Sequence, residues 1–382
     1  MDLVLSAEQE LLQRTAREFV TGRSPLTRMR QLRDTNDRDG FSRELWEEMA
    51  QLGWLGIVIP EQYGGGGLGY TDLMVVMEEL GRALMPEPML STVLLGGTAI
   101  MLGGAAAQKE ELLPEVAAGT RLLALAYQEM RSRYRLHYVE TRAEKAGRGW
   151  ILRGQKVQVL DGHVADWLIL TARTSGAVAE AAGITLFLLR ADTPGIEMER
   201  QVRVDGRNAT LMRLGDVRVG PDAVLGGVDQ GATLLARVID RATIALTAEM
   251  LGGMSAAFEM SIEYLKTRVQ FGVVIGTFQA LKHRAAKMYI ETELARSAVM
   301  HAHRVLDADK DDTAVARAAS LAKARASDAF ILIANEGVQM HGGIGMTDEH
   351  DIGFFLKRAR AAEITFGDAA HHRDRLAALN QY

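Results

Sequence analysis

Two stretches hold residue types that chemistry uses. The first, Tyr264-Leu265-Lys266-Thr267-Arg268-Val269-Gln270-Phe271-Gly272, continues as Ile275-Gly276-Thr277-Phe278-Gln279 and sets cations, an amide and two aromatics at a turn between two helical patterns. The second, Gln339-Met340-His341-Gly342-Gly343-Ile344-Gly345, closes another helical pattern. Its paired glycines leave backbone N–H groups open to an anion such as a pyrophosphate. Each stretch also has a plainer reading: a capped helical hairpin with packed phenylalanines for the first, a glycine C-cap for the second. Residue types alone leave both open.

Other candidates carry less. Gly64-Gly65-Gly66-Gly67-Leu68-Gly69 matches the GxGxxG dinucleotide fingerprint, with an apolar run, Leu55–Ile59, before it and a helical pattern after it. Pro60 intervenes, the region before is helical, and no second βα unit follows. A glycine turn between helices therefore suits this stretch better than a nicotinamide site. His301 and His303 are two apart and point to different sides of a helix, and His371 and His372 are adjacent. Neither pair has metal-ligand spacing, and no HExxH occurs. The chain has no cysteine, which excludes disulfides, thiolate metal sites and cysteine nucleophiles.

The elements that must position these stretches are legible from periodicity. Ser6 stands where an N-cap belongs, ahead of a helix with Leu11, Leu12, Phe19 and Val20 at helical spacing. Segments near 41–53, 70–85 and 89–103 behave likewise, separated by turns such as Pro60–Gly64 and Pro86-Glu87-Pro88. Between Arg121 and Gly226 short β-rich runs take over: Trp150–Arg153, Trp167–Thr171, Ile184–Leu189 and Ala209–Val219. No helix-length pattern interrupts them, which predicts an antiparallel β domain. Beyond Gly231 long helical seams return. Phe278, Leu281, Ala285, Met288, Thr292, Ala295, Val299, Ala302 and Leu306 form one; Val315, Ala319, Ala322, Ala326, Phe330, Ile333, Gly337 and Met340 form another.

The expected architecture is α+β and multidomain: an N-terminal helical domain (1–120), a central antiparallel β-barrel-like domain (121–226) and a C-terminal four-helix bundle (227–382). Hydrophobic residues at 48% and charged residues at 24% are ordinary for a globular chain, and 382 residues exceed a single core. With a net charge of −5 and scattered basic residues, no nucleic-acid groove is expected. The N-terminus MDLVLSAEQELL has no apolar h-region, and no apolar stretch is long enough to span a bilayer. A soluble, cytoplasmic protein is the expectation.

Together the motifs resemble the acyl-CoA dehydrogenases. The family's Pro-Glu-x-Tyr-Gly-Gly turn is matched by Pro60, Glu61, Tyr63, Gly64 and Gly65. Its Arg-x-x-Phe-Gly followed by Phe-Gln is matched by Arg268, Phe271, Gly272, Phe278 and Gln279, and its Gln-x-x-Gly-Gly-x-Gly by Gln339, Gly342, Gly343 and Gly345. The likeness runs nearly end to end. It implies FAD, an acyl-CoA substrate, an oligomer (homo- or hetero-dimer or tetramer) and electron delivery to an electron-transfer flavoprotein. Carried over, Arg268, Phe271, Phe278, Gln339, Gly342 and Gly343 would contact the FAD of a neighbouring subunit. Gln128, Leu160 and Asp368 are further cofactor positions, and Tyr134 and Asp240 are substrate positions.

The sequence also departs from the family. Gln128-Glu129-Met130-Arg131-Ser132-Arg133-Tyr134-Arg135 aligns with Thr-Glu-Pro-Gly-x-Gly-Ser-Asp and keeps the Glu and little else. Leu160 stands where a threonine hydroxyl commonly meets the flavin, and Gln158 where a tryptophan shields it. At the usual catalytic glutamate stands Phe366, whose ring takes no proton, although its backbone N–H can still donate to a thioester carbonyl. The alternative base position of some members falls on Ala242. Glu249, two helical turns beyond it on the same face, is the candidate base; its plainer reading is a buried carboxylate paired with an arginine. A third account is a heteromer in which another subunit carries the base. The endings Met346–His350 and Gly367–Arg373 resemble the bacterial heteromeric enzymes for steroid side chains and dicarboxylic acyl chains. A non-catalytic subunit is the alternative function.

Overall fold

The computed structural model describes residues 4–308 and 311–382. Met1–Leu3, where the reading of the N-terminus begins, lie outside them. Two compact units emerge. One comprises the chain up to Gln31 with Tyr70–Met85 and Thr243–Tyr382; the other comprises Leu32–Gly69 and Pro86–Ala242. The helices expected as one N-terminal domain are thus shared between the two units.

The first unit is helical. Helix α1 (Ala7–Arg23) opens on a capping box: the Gln9 N–H donates to the Ser6 hydroxyl, and the Gln9 side chain accepts from the Ser6 N–H. Ala16 and Val20 form its buried stripe, whereas Leu11, expected in the seam, faces solvent. Helix α2 (Leu26–Asp34) starts in this unit, α4 (Tyr70–Arg82) lies within it, and α3 (Arg43–Gln51) belongs to the second unit. The longest helices come late: α7 (Gly231–Thr267), α8 (Gln279–Ala308) and α9 (Asp312–His341), followed by α10 (Ile352–Ile364) and α11 (Ala369–Leu379).

Both predicted seams are buried. Met288, Thr292, Ala295, Val299, Ala302 and Leu306 line α8, and Val315 to Met340 line α9. Only the start of the α8 seam, Phe278, is exposed. Beyond the expected four helices, α11 makes a fifth, packed on α9. Helices α4 and α7 meet at glycines. A Cβ on Gly81 would lie 2.1 Å from the Glu249 carbonyl oxygen, and one on Gly252 would lie 1.8 Å from that of Glu78. From α8, Asp307 caps α4 by accepting the Tyr70 and Thr71 N–H groups and the Thr71 hydroxyl.

The second unit holds α3, a π-helical run Met89–Gly97, α5 (Thr98–Gly103), α6 (Ala106–Ala117) and one sheet. The strands are β1 (Leu123–Ala126), β2 (Arg142–Ala146), β3 (Gly149–Leu160), β4 (Trp167–Arg173), β5 (Ile184–Arg190), β6 (Ile196–Val202), β7 (Asn208–Val219) and β8 (Val224–Leu225). Their order is β6-β7-β3-β2-β4-β5-β8, with β1 beside β4. All four predicted runs are strands. Two details differ from the expectation. The sheet has two ends, β6 and β8, so it does not close into a barrel. Moreover, β1 runs parallel to β4, and β2 touches β4 in parallel at one position, Arg142 with Arg173. Parallel pairing needs a long connection, which β2 and β3 supply between β1 and β4. Leu152, Leu168, Leu170, Phe187, Met212 and Val217 centre its core.

The Gly64–Gly69 stretch follows a 3₁₀ turn rather than a strand. Its N–H groups are already used within the chain: Gly66 donates to the Gly56 carbonyl at 2.8 Å, Gly67 to that of Ile59 at 2.9 Å and Leu68 to that of Ile57 at 2.8 Å. A Cβ on Gly65 would lie 2.0 Å from the Ile59 oxygen, so close backbone packing explains that glycine. Among the described residues, no helix is long and apolar enough to cross a membrane.

Candidate functional site

In the helical unit, α7 ends in a two-stranded hairpin, β9 (Val269–Gln270) with β10 (Val273–Val274). Both turn residues have positive φ: Phe271 at 53° and Gly272 at 76°. That geometry suits a tight hairpin, but for phenylalanine it is strained. The ring is nevertheless 91% exposed and touches the Phe278 ring edge-on at 6.2 Å. Helix α9 ends beside it, for the Tyr264 ring on α7 lies 4.4 Å from the His341 ring, and His341 lies 4.3 Å from His350. Arg268, Phe271, Phe278, Gln339, Gly342 and Gly343 therefore gather, exposed, at one end of the helices.

This end fits an external anion better than a self-contained cap. A Cβ on Gly343 would meet nothing within 4 Å, and φ there is not positive, so the chain's own packing gives no reason for glycine. Gly342 has φ 64° and open space as well. The positive φ at the α9 C-cap is reason enough for Gly342, whereas at Gly343 close approach of something outside the chain is the remaining physical reason for a small residue. Exposed Arg268 adds a planar, permanently charged fork suited to a diphosphate. By this test the residues fit the diphosphate of an FAD.

The second feature is the turn after α10. Phe366 is buried yet sits at φ 62°. The ammonium of Lys323, fully buried on α9, donates to the Glu363 carbonyl at 2.8 Å and the Gly367 carbonyl at 2.8 Å, and lies 3.2 Å from the Ser327 hydroxyl. The His372 Nε2 donates to the Phe366 carbonyl at 3.2 Å. Burial pushes Lys323 down to about 7, and burial together with the neighbouring Lys323 charge pushes His372 down to about 3. Asp368 caps α11 by accepting the His371 N–H at 2.9 Å. Among the described residues, the N–H groups of Phe366 and Gly367 find no acceptor.

Glu249 is committed elsewhere. Arg358 Nη1 donates to its Oε1 at 2.9 Å, with both side chains buried, and Arg358 Nη2 donates to the Leu84 carbonyl at 3.3 Å. Arg358 lies on α10 six residues before its end at Ile364, roughly 9 Å along the helix, and Phe366 follows beyond that end. Ala242 is fully buried.

In the sheet unit, Glu129 organises the loop from Gln128 to Thr141. It is buried and accepts from the Glu140 N–H at 2.6 Å, the Thr141 N–H at 3.0 Å and Lys156 Nζ at 2.6 Å. Lys156, with no exposure, also donates to the Thr171 hydroxyl at 2.9 Å. Burial raises the Glu129 carboxyl, but the Lys156 charge and the hydrogen bonds outweigh it and hold Glu129 below its ordinary range. The Gln128 carbonyl accepts from the Val157 N–H at 2.9 Å, which ties it to β3. A bulge between Lys156 and Val159 turns Gln158 outward at φ 54°, and Leu160 is half-buried. Tyr134 is half-buried beneath the Arg133 guanidinium, 5.0 Å from its ring. Asp240 is buried in the first turns of α7.

Sequence reasoning gave no role to Lys323, His372, Arg358 or Lys156. Lys323 did leave a signal: it lies four residues after Ala319, inside the apolar stripe of α9. His303 is buried and bonds locally, to the Val299 carbonyl at 2.8 Å, while His301 is exposed. Among the described residues, no three His, Asp or Glu side chains are placed to hold a metal ion.

Family models of the acyl-CoA dehydrogenases match three segments: the N-terminal domain over residues 6–120, the middle domain over 124–217 and the C-terminal domain over 229–379. Acyl-CoA dehydrogenase FadE12 of Mycobacterium tuberculosis is 34% identical over 329 residues, covering 84% of this chain and 83% of that one. Mitochondrial isovaleryl-CoA dehydrogenase of Pongo abelii is 30% identical, covering 97% and 88%. Butyryl-CoA dehydrogenase of Megasphaera elsdenii superposes with a TM-score of 0.92 at 27% identity over 100% of both chains. A steroid enzyme, a variant of Tcur3481-Tcur3483, does so with a TM-score of 0.87 at 32% identity over 98% of each. Helices, sheet and helices in this order, with the motifs at the end of α7 and α9, are thus accounted for: the chain belongs to the acyl-CoA dehydrogenase family of flavoprotein oxidoreductases.

Proposed function

We propose that this chain takes part in FAD-dependent α,β-dehydrogenation of an acyl-CoA thioester without supplying a carboxylate at the Phe366 position. The observation that carries this reading is the Phe366 turn, where two successive peptide N–H groups lack acceptors among the described residues beside a side chain that takes no proton. Such donors polarise a thioester carbonyl and acidify its α-carbon, one half of the usual activation.

A bound flavin supplies the hydride acceptor. Arg268, Gln339 and Gly343 would hold the diphosphate of a neighbouring subunit's FAD, with Phe271, Phe278 and Gly342 packed against it. Gln128 and Leu160 would meet the flavin, with Asp368 as a further contact; Tyr134 and Asp240 would hold the acyl-CoA. Electrons would pass to an electron-transfer flavoprotein. The exposed helix-end cluster makes an oligomer the natural form.

For the missing base, the Glu249–Arg358 pair favours a second subunit over Glu249 itself, because abstracting a proton would neutralise the carboxylate that faces the buried Arg358 charge. The similarity to a steroid enzyme whose name pairs two chains supports that choice. A second reading is a subunit that stabilises a base-bearing partner without turnover.

The test is purification, an absorbance scan for flavin and an acyl-CoA panel with a dye acceptor, alone and after mixing with a similar chain that carries the glutamate. Flavin with activity only in the mixture supports the heteromer. A yellow homo-oligomer that turns over unaided, and whose Glu249→Gln variant stays folded and keeps its flavin but loses activity, would return the base to Glu249. Protein that neither binds flavin nor adds to its partner's activity would sink the enzyme reading.

A further inference from the structure

We infer that Lys323 and His372 are positioning residues that aim the peptide N–H groups of the Phe366 turn away from the bundle interior. The inference rests on the proposed role of that turn and adds the groups that shape it. A trans peptide carries its C=O and N–H on opposite sides, and the described chain has no cis peptide. His372 draws the Phe366 carbonyl inward at 3.2 Å, so the Gly367 N–H must point the other way. Lys323 fixes both flanks of the turn at once, through the Glu363 carbonyl in the last turn of α10 and the Gly367 carbonyl just past Phe366. These three inward carbonyls make a left-handed Phe366 tolerable, although φ 62° costs a non-glycine residue energy.

Burying a lysine costs desolvation, and here three acceptors offset it: the Ser327 hydroxyl and the Glu363 and Gly367 carbonyls, the last of them buried. What Lys323 adds is reach. From a different helix it spans the turn by taking the Glu363 and Gly367 carbonyls, while the N–H groups of Phe366 and Gly367 have no acceptor among the described residues. Neither residue touches a substrate in this account; both act through the backbone.

The test separates a carbonyl contact from general binding. Butyryl-, octanoyl- and palmitoyl-CoA are titrated calorimetrically into full-length protein as purified, and the tightest binder is compared with its S-alkyl-CoA thioether, which lacks the carbonyl. Wild type should prefer the thioester by about fivefold, the contribution of one ordinary hydrogen bond. Lys323→Met should lower that preference toward unity while thioether affinity stays unchanged, a split that general loosening would not produce. His372→Phe removes the second donor without altering a buried charge, and serves equally if Lys323→Met does not fold. If wild type binds no thioester, or shows no preference, the carbonyl-polarising role proposed for the Phe366 turn fails and this inference with it, while the flavin and mixing assay decides the wider enzyme reading. If wild type shows the preference and a folded variant keeps it in full, only the positioning role is overturned.

Discussion

Arg358 on α10 and Glu249 on α7 form an ion pair at 2.9 Å with both side chains buried. Each charge is compensated by the other, and neither has bulk water to fall back on.

Removing one partner should therefore cost far more than removing both. Glu249→Gln is expected to lower unfolding free energy by about 3 kcal/mol or more, because it removes the buried carboxylate charge that faces Arg358. The double variant Glu249→Met with Arg358→Met should recover most of that loss. Urea denaturation of both variants beside wild type decides the matter; a single variant as stable as wild type would mean that the pair is not coupled.

The α4–α7 crossing admits no side chain at Gly252, where a Cβ would lie 1.8 Å from the Glu78 oxygen. Gly252→Ala should destabilise by about 2–3 kcal/mol as the helices are forced apart. In α10, Gly353 has nothing within 4 Å, so Gly353→Ala should be neutral or gain about 0.5–1 kcal/mol from helix propensity. Equal effects in thermal melts would contradict the close crossing.

Stability should respond to pH on both sides of neutrality. Burial pushes His303 down to about 4, so between pH 6.5 and about 4 the unfolded chain binds protons that the folded chain refuses, and stability falls as pH drops through that window. Burial also pushes Lys323 down to about 7 from its ordinary 10.5. Across that interval the unfolded state again holds more protons, so stability should rise with pH from about 7 toward 10. Lys323→Met should flatten the alkaline limb. Denaturation midpoints at pH 5, 7 and 9 provide the measurement, and a midpoint that declines from 7 to 9 in wild type would refute the assignment.

Phe271 combines a strained backbone with an exposed ring. Phe271→Gly should relieve about 1 kcal/mol of strain and keep or raise the melting temperature. Flavin retention through gel filtration should nevertheless fall if the ring serves the cofactor. A variant that keeps its full flavin complement would show that Phe271 has no such part.

Legibility differed by element. The α8 and α9 seams were readable because a buried helix face repeats every three to four residues whatever it packs against. The β runs were readable from composition, and Ser6 from its cap chemistry. The parallel β1–β4 pair was not, because pairing direction depends on how a distant strand returns. Nor was the open sheet, which follows from which edges remain unpaired. Gly64–Gly69 matched a nucleotide fingerprint by spelling alone, and only its spent N–H groups explain why these glycines are packing residues.

For the site, spacing in the sequence named the residues at the ends of α7 and α9, since local motifs keep their neighbours in order. It also marked Phe366 as a residue without acid–base chemistry, because side-chain type needs no coordinates. What only the tertiary structure decided is who stands beside them: Arg358 against Glu249, and Lys323 and His372 behind Phe366. Those partners lie on other helices or on the far side of a turn. Periodicity says that a position is buried; only the packed fold says which charge or carbonyl it is buried against.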